Sequence, residues 1–304
     1  MKILVFGSNG LVGNSLRRVL GNKKEFQVLF STREDADLFS KNQTYSLIKK
    51  FSPDIVINAA AKVGGIHANN TYRSEFLLEN LKININILES CIEYPNIFII
   101  NLGSSCIYPL NSPNPISEDS FMNGKLEPTN SPYAIAKIAA IELAHSINIQ
   151  YGHKVLNIMP TNLYGPNDNF SDIDSHVIPG LIARMHKAKL DKKETFNVWG
   201  TGKPLREFLY VDDLADSILF MIQNTHKFDL INVGSGKEVT IKELSNKIKS
   251  TINYSGEIKF DTKMPDGNPR KLLDSKKINN MGWKASTSLE KGLEKTYSWF
   301  LDNY

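Results

Sequence analysis

Tyr133 and Lys137 lie four residues apart in Tyr133-Ala134-Ile135-Ala136-Lys137, a segment whose composition predicts a helix. That spacing puts both side chains on one helical face, where an ammonium beside a phenol favours the phenolate and makes the tyrosine a proton donor and acceptor near neutral pH. Solvated helices also carry this pair by chance, so further residues must decide. Ser104, in Gly103-Ser104-Ser105-Cys106-Ile107-Tyr108-Pro109, follows an apolar run and can donate a hydrogen bond to a ketone oxygen. Cys106 follows closely at the same predicted strand end, where ligands collect in α/β sheets, although a cysteine there is also an ordinary small core residue.

An anion site is legible near the N-terminus. Gly7-Ser8-Asn9-Gly10-Leu11-Val12-Gly13 follows a predicted strand at 3–6 and opens a predicted helix at 11–20. Glycines there allow a tight turn and close backbone approach, and the helix start offers free amides to a dinucleotide pyrophosphate. The second strand, 26–30, is followed by Ser31-Thr32-Arg33, with no acid at the strand end to bind a ribose 2′-hydroxyl. Arg33 suits a 2′-phosphate instead, which favours NADP over NAD, with Glu34 and Asp35 as nearby opposing charges. Asn58-Ala59-Ala60-Ala61 ends a third strand with small residues against which a flat ring could lie.

These residues need a scaffold, and the chain reads as one. Strands at 3–6, 26–30, 54–58, 97–102 and 155–159 alternate with helices at 11–20, 45–51, 72–94 and the segment bearing Tyr133. The strands are continuous apolar runs, as parallel strands covered on both faces require. The fold class is therefore α/β, a doubly wound parallel sheet of the Rossmann type. Beyond 159 the pattern loosens, with helices at 178–188, 212–223, 241–251 and 289–300 and a strand at 230–233. This predicts a dinucleotide-binding domain from 1–162 and 204–234, and a smaller, interleaved mixed α/β substrate domain from 163–203 and 235–304, with ligands in the cleft.

Composition narrows the function classes. A net charge of +4 without a Lys/Arg block gives no reason to expect nucleic acid, and small anionic ligands are the better match. Cys91 and Cys106 are the only cysteines, so neither a disulfide framework nor a Cys-x-x-Cys metal site is expected, and a reducing compartment is favoured. Cys91 reads as a buried helix residue. The apolar start is too short for a signal peptide and no later stretch is long enough to span a bilayer, so the expectation is a cytoplasmic protein without membrane contact.

The glycine pattern, Ser104, Tyr133 and Lys137 together resemble the extended short-chain dehydrogenase/reductase family, which acts largely on nucleotide sugars. More narrowly, Ala60-Ala61-Lys62-Val63-Gly64-Gly65-Ile66, the stretch from Gly103 to Pro109, Met159-Pro160-Thr161-Asn162-Leu163-Tyr164-Gly165-Pro166-Asn167-Asp168-Asn169-Phe170 and Ser175-His176-Val177-Ile178-Pro179 resemble its GDP-L-fucose synthase branch. So do Val198-Trp199-Gly200-Thr201-Gly202, Arg206-Glu207-Phe208-Leu209 and Pro265-Asp266-Gly267. The resemblance implies epimerisation at C3 and C5 of a GDP-4-keto-6-deoxy sugar, then NADPH-dependent reduction at C4. It implies Cys106 as base and His176 as acid for the inversions, Ser104 and Tyr133 at the ketone or enolate oxygen, and Lys137 on the ribose. Cofactor contacts would extend to Ala60, Leu102, Pro160, Asn162, Leu163 and His176. Substrate contacts would include Ser105, Asn162, Arg184, Trp199, Arg206 and Asp266, with the two arginines on the diphosphate. A homodimer through helices near 76–94 and 134–151 is implied by the same likeness.

Rival readings remain. His176 also reads as a helix-entry histidine bonded to backbone, Arg184 as a surface salt-bridging residue, Trp199 as a packing anchor and Asp266 as a turn residue. A dehydratase would carry an acid pair where Ser105 and Cys106 stand, and a UDP-sugar 4-epimerase an acid near Arg33. A C4 reductase acting on a related GDP-4-keto heptose, and a non-catalytic NADP-sensing protein on the same fold, are the remaining alternatives.

Overall fold

The computed structural model describes residues 1–304 except 172, 173 and 265, so Pro265 of the motif above lies outside the described residues. The chain runs β1 (Lys2–Phe6), α1 (Leu11–Leu20), β2 (Gln27–Phe30), α2 (Lys41–Phe51), β3 (Ile55–Asn58), α3 (Ile66–Thr71) and α4 (Arg73–Cys91). It continues through β4 (Phe98–Leu102), α5 (Ser131–Tyr151), β5 (Val155–Pro160), β6 (Asn162–Tyr164), α6 (Val177–Leu190), β7 (Thr195–Trp199) and β8 (Leu205–Tyr210). Last come α7 (Val211–Gln223), β9 (Leu230–Val233), β10 (Glu238–Thr240), α8 (Ile241–Ile252), β11 (Glu257–Asp261), β12 (Arg270–Lys271), α9 (Lys276–Asn280) and α10 (Leu289–Asn303).

The main sheet is six-stranded in the order β2-β1-β3-β4-β5-β9, every pair parallel. Strands β3, β4 and β5 are buried along their whole length, which is why their sequences do not alternate. One face is covered by α1 and α7, and the other by α2, α4 and α5. Strand order reverses between β1 and β3, which opens a crevice at the carboxyl ends of these strands. Within the apolar layers runs a ladder of buried amides: Asn58 donates to Asn84 at 2.8 Å and to Asn101 at 3.1 Å, and Asn101 donates to Asn157 at 3.0 Å. The amides answer one another along this ladder, and among these four side chains only the Asn84 nitrogen is buried without a partner.

A second core gathers α6, α8 and α10 around Tyr164, Phe170, Phe208 and Tyr210. Its sheet runs β10-β8-β12 with β6 added on β8, and β7 pairs with β11 in parallel. Two segments sit differently from the sequence expectation. Residues 205–210 form the centre of the second sheet, held by Asn162, whose amide donates to the Glu207 carbonyl at 2.8 Å. Ile278 and Trp283 pack on the first core, where the Trp283 indole donates to Asp216 at 2.9 Å. The helix expected at 45–51 begins at Lys41, because Ser40 caps it by accepting from the Gln43 amide; its polar first turn hides the start. The helix expected at 72–94 is preceded by a separate short one, α3, since Tyr72 leaves helical geometry at φ −101° and ψ 46°. No helix among the described residues is long and apolar enough to cross a membrane.

Candidate active site

The glycine turn between β1 and α1 is shaped by contact. Gly7 has φ +80°, and a Cβ there would lie 2.6 Å from Ala59 and Ala60 backbone, while one at Gly13 would lie 2.2 Å from the Gly7 carbonyl. Only glycine fits either place. The first turn of α1 has no side-chain cap at Gly10, so its amides face outward for an anion. Ser8, by contrast, turns inward and donates to the Ser31 carbonyl at 2.6 Å, fixing the turn to the end of β2. Arg33 is exposed beyond that strand end, and Asp35 folds back to accept from the Thr32 amide at 2.7 Å. Of the two acids that follow Arg33, Asp35 is thus engaged locally and Glu34 is exposed to solvent, and the residues present fit a dinucleotide with a 2′-phosphate.

Ser104, Cys106, Tyr133 and Lys137 meet at the end of β4. Ser104 caps the 3-10 turn at Ser105–Ile107, its hydroxyl accepting from the Cys106 amide at 3.2 Å. The same hydroxyl hydrogen-bonds the Tyr133 phenol. Lys137 is 2% exposed and donates to the Leu102 carbonyl at 2.7 Å, with its nitrogen 5.9 Å from the Tyr133 ring centre. Burial lowers the Lys137 ammonium to about 8, and burial, with the Cys106 charge adding to it, holds the phenol above its ordinary value against the Ser104 hydrogen bond. The direction is opposite to the one expected from the lysine alone, because desolvation outweighs an ammonium already committed to a backbone carbonyl.

Cys106 has two neighbours that the sequence did not signal. Asn130 is the N-cap residue of α5 yet makes no cap bond; its amide donates to the Cys106 sulfur at 3.5 Å, and Glu127 accepts from the Thr129 and Asn130 amides instead. Lys271, on β12, donates to the same sulfur at 3.7 Å. The Asn130-Ser131-Pro132 helix start is readable locally, but no local pattern could place Lys271, which is 165 residues from Cys106.

His176 begins α6 from a separate direction. The preceding Asp174 carbonyl accepts from the Gly65 amide at 2.9 Å, and a Cβ on Gly65 would come within 2.6 Å of the Ser175 carbonyl. The imidazole keeps access to solvent at its crevice, while the protein packed around it holds its pKa below the ordinary value. Phe76 links the two groups, meeting the Tyr133 ring edge-on at 6.4 Å and lying near Gly64.

A third cluster lies across the cleft. The Arg184 guanidinium sits 5.6 Å from the ring centre of Trp199, which is 61% exposed. Asp266 accepts from the Thr201 amide at 2.9 Å and hydroxyl at 2.6 Å, which keeps its carboxyl ionised below the usual range. Arg206 is pushed down by burial and drawn back by Asp266, and it neighbours Lys271 in register across β8 and β12. An exposed aromatic face beside two guanidinium groups can hold a base and a diphosphate. Ser105 and Pro160 are buried, Ala60 is 7% exposed, and Leu163 packs against the first core. Asn162 and Leu102 each have one group engaged within the protein.

A family model described as the NAD dependent epimerase/dehydratase family matches residues 3–234. The chain belongs to that family. Within it, GDP-L-fucose synthase 1 of Arabidopsis thaliana is 46% identical over 99% of this chain and 94% of its own length. A GDP-6-OMe-4-keto-L-xylo-heptose reductase from C. jejuni superposes with a TM-score of 0.93 at 31% identity, covering 100% of this chain and 98% of its own. A GDP-L-fucose synthetase from Naegleria fowleri bound to NADP does so at 0.91 with 30% identity, covering 100% of this chain and 94% of its own. The family match ends near the close of β9, so α8 and α10 of the second core lie beyond it, while its α6, β6, β7 and β8 residues lie within.

Proposed function

We propose that this epimerase-family chain inverts C3 and C5 of a GDP-4-keto-6-deoxy sugar and reduces its C4 ketone with NADPH, giving GDP-L-fucose or a close relative. The convergence of Ser104, Tyr133 and Cys106 on one point carries this reading, because a single ketone site then serves both reactions. Gly7 to Gly13 hold the pyrophosphate, Arg33 the 2′-phosphate and Lys137 the ribose, with Leu102, Pro160 and Leu163 along the crevice. Bound NADPH supplies the hydride that C4 receives.

The chain's own residues manage the protons. A C4 ketone acidifies the protons on C3 and C5, so Cys106 removes each one while His176 delivers another from the opposite face. Ser104 and Tyr133 donate to the oxygen on which enolate charge develops. In the reduction, Tyr133 gives its proton to that oxygen, a task suited to a phenol held above its usual pKa and so fully protonated at neutral pH. Arg184, Arg206, Trp199 and Asp266 hold the GDP portion, with Ser105 and Asn162 nearer the sugar. The dinucleotide part is residues 1–162 with 211–234 and the sugar part 163–210 with 235–304, save that Ile278 and Trp283 pack on the first core. The protein resides in the cytoplasm and forms a homodimer through the α4 and α5 face around Leu81, Ile85, Ala139 and Leu143.

One observation favours a second reading: the C. jejuni relative is described as a heptose reductase and shares the whole fold. Reduction alone on a GDP-4-keto heptose would use Ser104, Tyr133 and Lys137 and leave Cys106 and His176 without a task. Tyr133→Phe tests the reductase: turnover should fall by about 10²-fold or more while NADPH binding persists. Unchanged NADPH oxidation would refute the assignment. Cys106→Ser tests the division of labour: solvent exchange at C3 and C5 should slow while an already inverted keto sugar is still reduced.

A further inference from the structure

Cys106 can abstract a proton only as the thiolate, and a negative sulfur in a half-buried site needs compensation. Two donors face it, from different parts of the fold: the Asn130 amide at 3.5 Å and the Lys271 ammonium at 3.7 Å. Lys271 crosses the cleft to do so, since it stands on the second sheet beside Arg206 while Cys106 follows β4 of the first. We propose that Lys271 is a positioning residue for the epimerisation: its ammonium holds the Cys106 sulfur toward the sugar and balances the charge that sulfur carries as a base. This rests on the reading of Cys106 given above.

The surroundings of β12 favour this role over a chance contact. That strand has two residues, but its register is held on every side. The Leu272 amide donates to the Asn114 side chain at 2.8 Å and the Leu272 carbonyl accepts from Ile116 at 2.8 Å, while the Asp274 amide donates to the Ile116 carbonyl at 2.8 Å. Glu207, fully buried, accepts from the Leu273 amide at 3.1 Å with one oxygen and from Gly236 at 2.7 Å with the other. The carboxylate nearest in the β8–β12 ladder is therefore engaged by backbone. Among the described residues no carboxylate forms an ion pair with Lys271, so its charge is directed at the sulfur. The diversion of Asn130 from capping to the same sulfur points the same way. During the proton transfer the bond from carbon to hydrogen breaks, the sulfur gains the proton, and Lys271 keeps its own.

Lys271→Met, Lys271→Arg and Cys106→Ser separate the possibilities, using the whole protein. Each is assayed in D2O for deuterium uptake at C3 and C5 of GDP-4-keto-6-deoxy-D-mannose, and for KM and kcat in reducing the inverted keto sugar with NADPH. Lys271→Met should slow exchange by about tenfold or more at pH 7, with the reduction affected far less. Lys271→Arg should retain most of the exchange. Iodoacetamide labelling of Cys106 at pH 7, read by mass spectrometry, should slow by a similar factor in Lys271→Met, whatever the catalytic role of the cysteine. Exchange and labelling equal to the parent in Lys271→Met, with exchange lost in Cys106→Ser, would overturn the role of Lys271 alone. A raised KM for reduction with unchanged labelling would overturn it in favour of a substrate anchor. Parental exchange in Cys106→Ser would instead defeat the reading of Cys106, and the Lys271 role with it.

Discussion

Replacing Lys137 with methionine should abolish most turnover and yet leave the protein as stable as before, or more so, at pH 7. The ammonium is 2% exposed, and burial lowers it from 10.5 to about 8. That displacement corresponds to about 3 kcal/mol against the charged form in the folded state. Methionine removes this cost and fills similar volume, but strands the Leu102 carbonyl that accepts from the ammonium at 2.7 Å, a loss of about 1–3 kcal/mol. The two effects leave a net change between zero and about 2 kcal/mol in favour of the variant. The pH dependence carries the sign. Because the folded-state value is the lower one, the native protein releases this proton first, and the parent gains stability from this group as pH rises from about 8 toward 10.5. The variant lacks that gain, so its advantage should vanish and reverse by about 1 kcal/mol near pH 10, where a neutral amine still donates to the carbonyl. Urea unfolding of both proteins at pH 7 and pH 10, followed by far-UV circular dichroism, reads this directly. A variant less stable by more than about 2 kcal/mol at pH 7, or a difference that does not move with pH, would refute the desolvation reasoning.

Other outcomes follow from the same site. Arg33→Ser should weaken NADPH binding by about tenfold to a hundredfold while leaving NADH binding nearly unchanged, measured by fluorescence titration. Parental reduction should fall as pH rises through about 8, where Lys137 loses its charge, and a pH–rate profile of Lys137→Arg should lack that descent. Gly65→Ala should slow deuterium exchange more than reduction, since a Cβ 2.6 Å from the Ser175 carbonyl displaces the segment leading to His176; equal loss of both rates would argue against that coupling.

The parts legible in the sequence are those fixed by local physics. The bounds of α1 and β9, the glycine turn and the Tyr133 to Lys137 spacing depend on neighbours within a few residues, and each appears where the pattern places it. What was not legible depends on contacts far along the chain. Strand β12 is two residues long and exists because Glu207, Asn114 and β8 hold it, so nothing in Arg270-Lys271 itself reads as strand. Residues 205–210 read as part of the 204–234 block of the first domain and carry no local strand signal, but pairing with β6, β10 and β12 places them in the second sheet. The sign of the Tyr133 shift was missed for a related reason. Helical spacing shows that the lysine is near, but not that its ammonium is bonded to Leu102 and that the phenol is desolvated.

The most direct test of the proposed activity is the product itself. Incubation with GDP-4-keto-6-deoxy-D-mannose and NADPH in D2O, followed by proton NMR of the sugar, should give GDP-L-fucose with deuterium at C3 and C5 and none introduced at C4. A C4-reduced sugar that keeps its original configuration and its protons at C3 and C5 would contradict the assignment of Cys106 and His176, and would leave a reductase only.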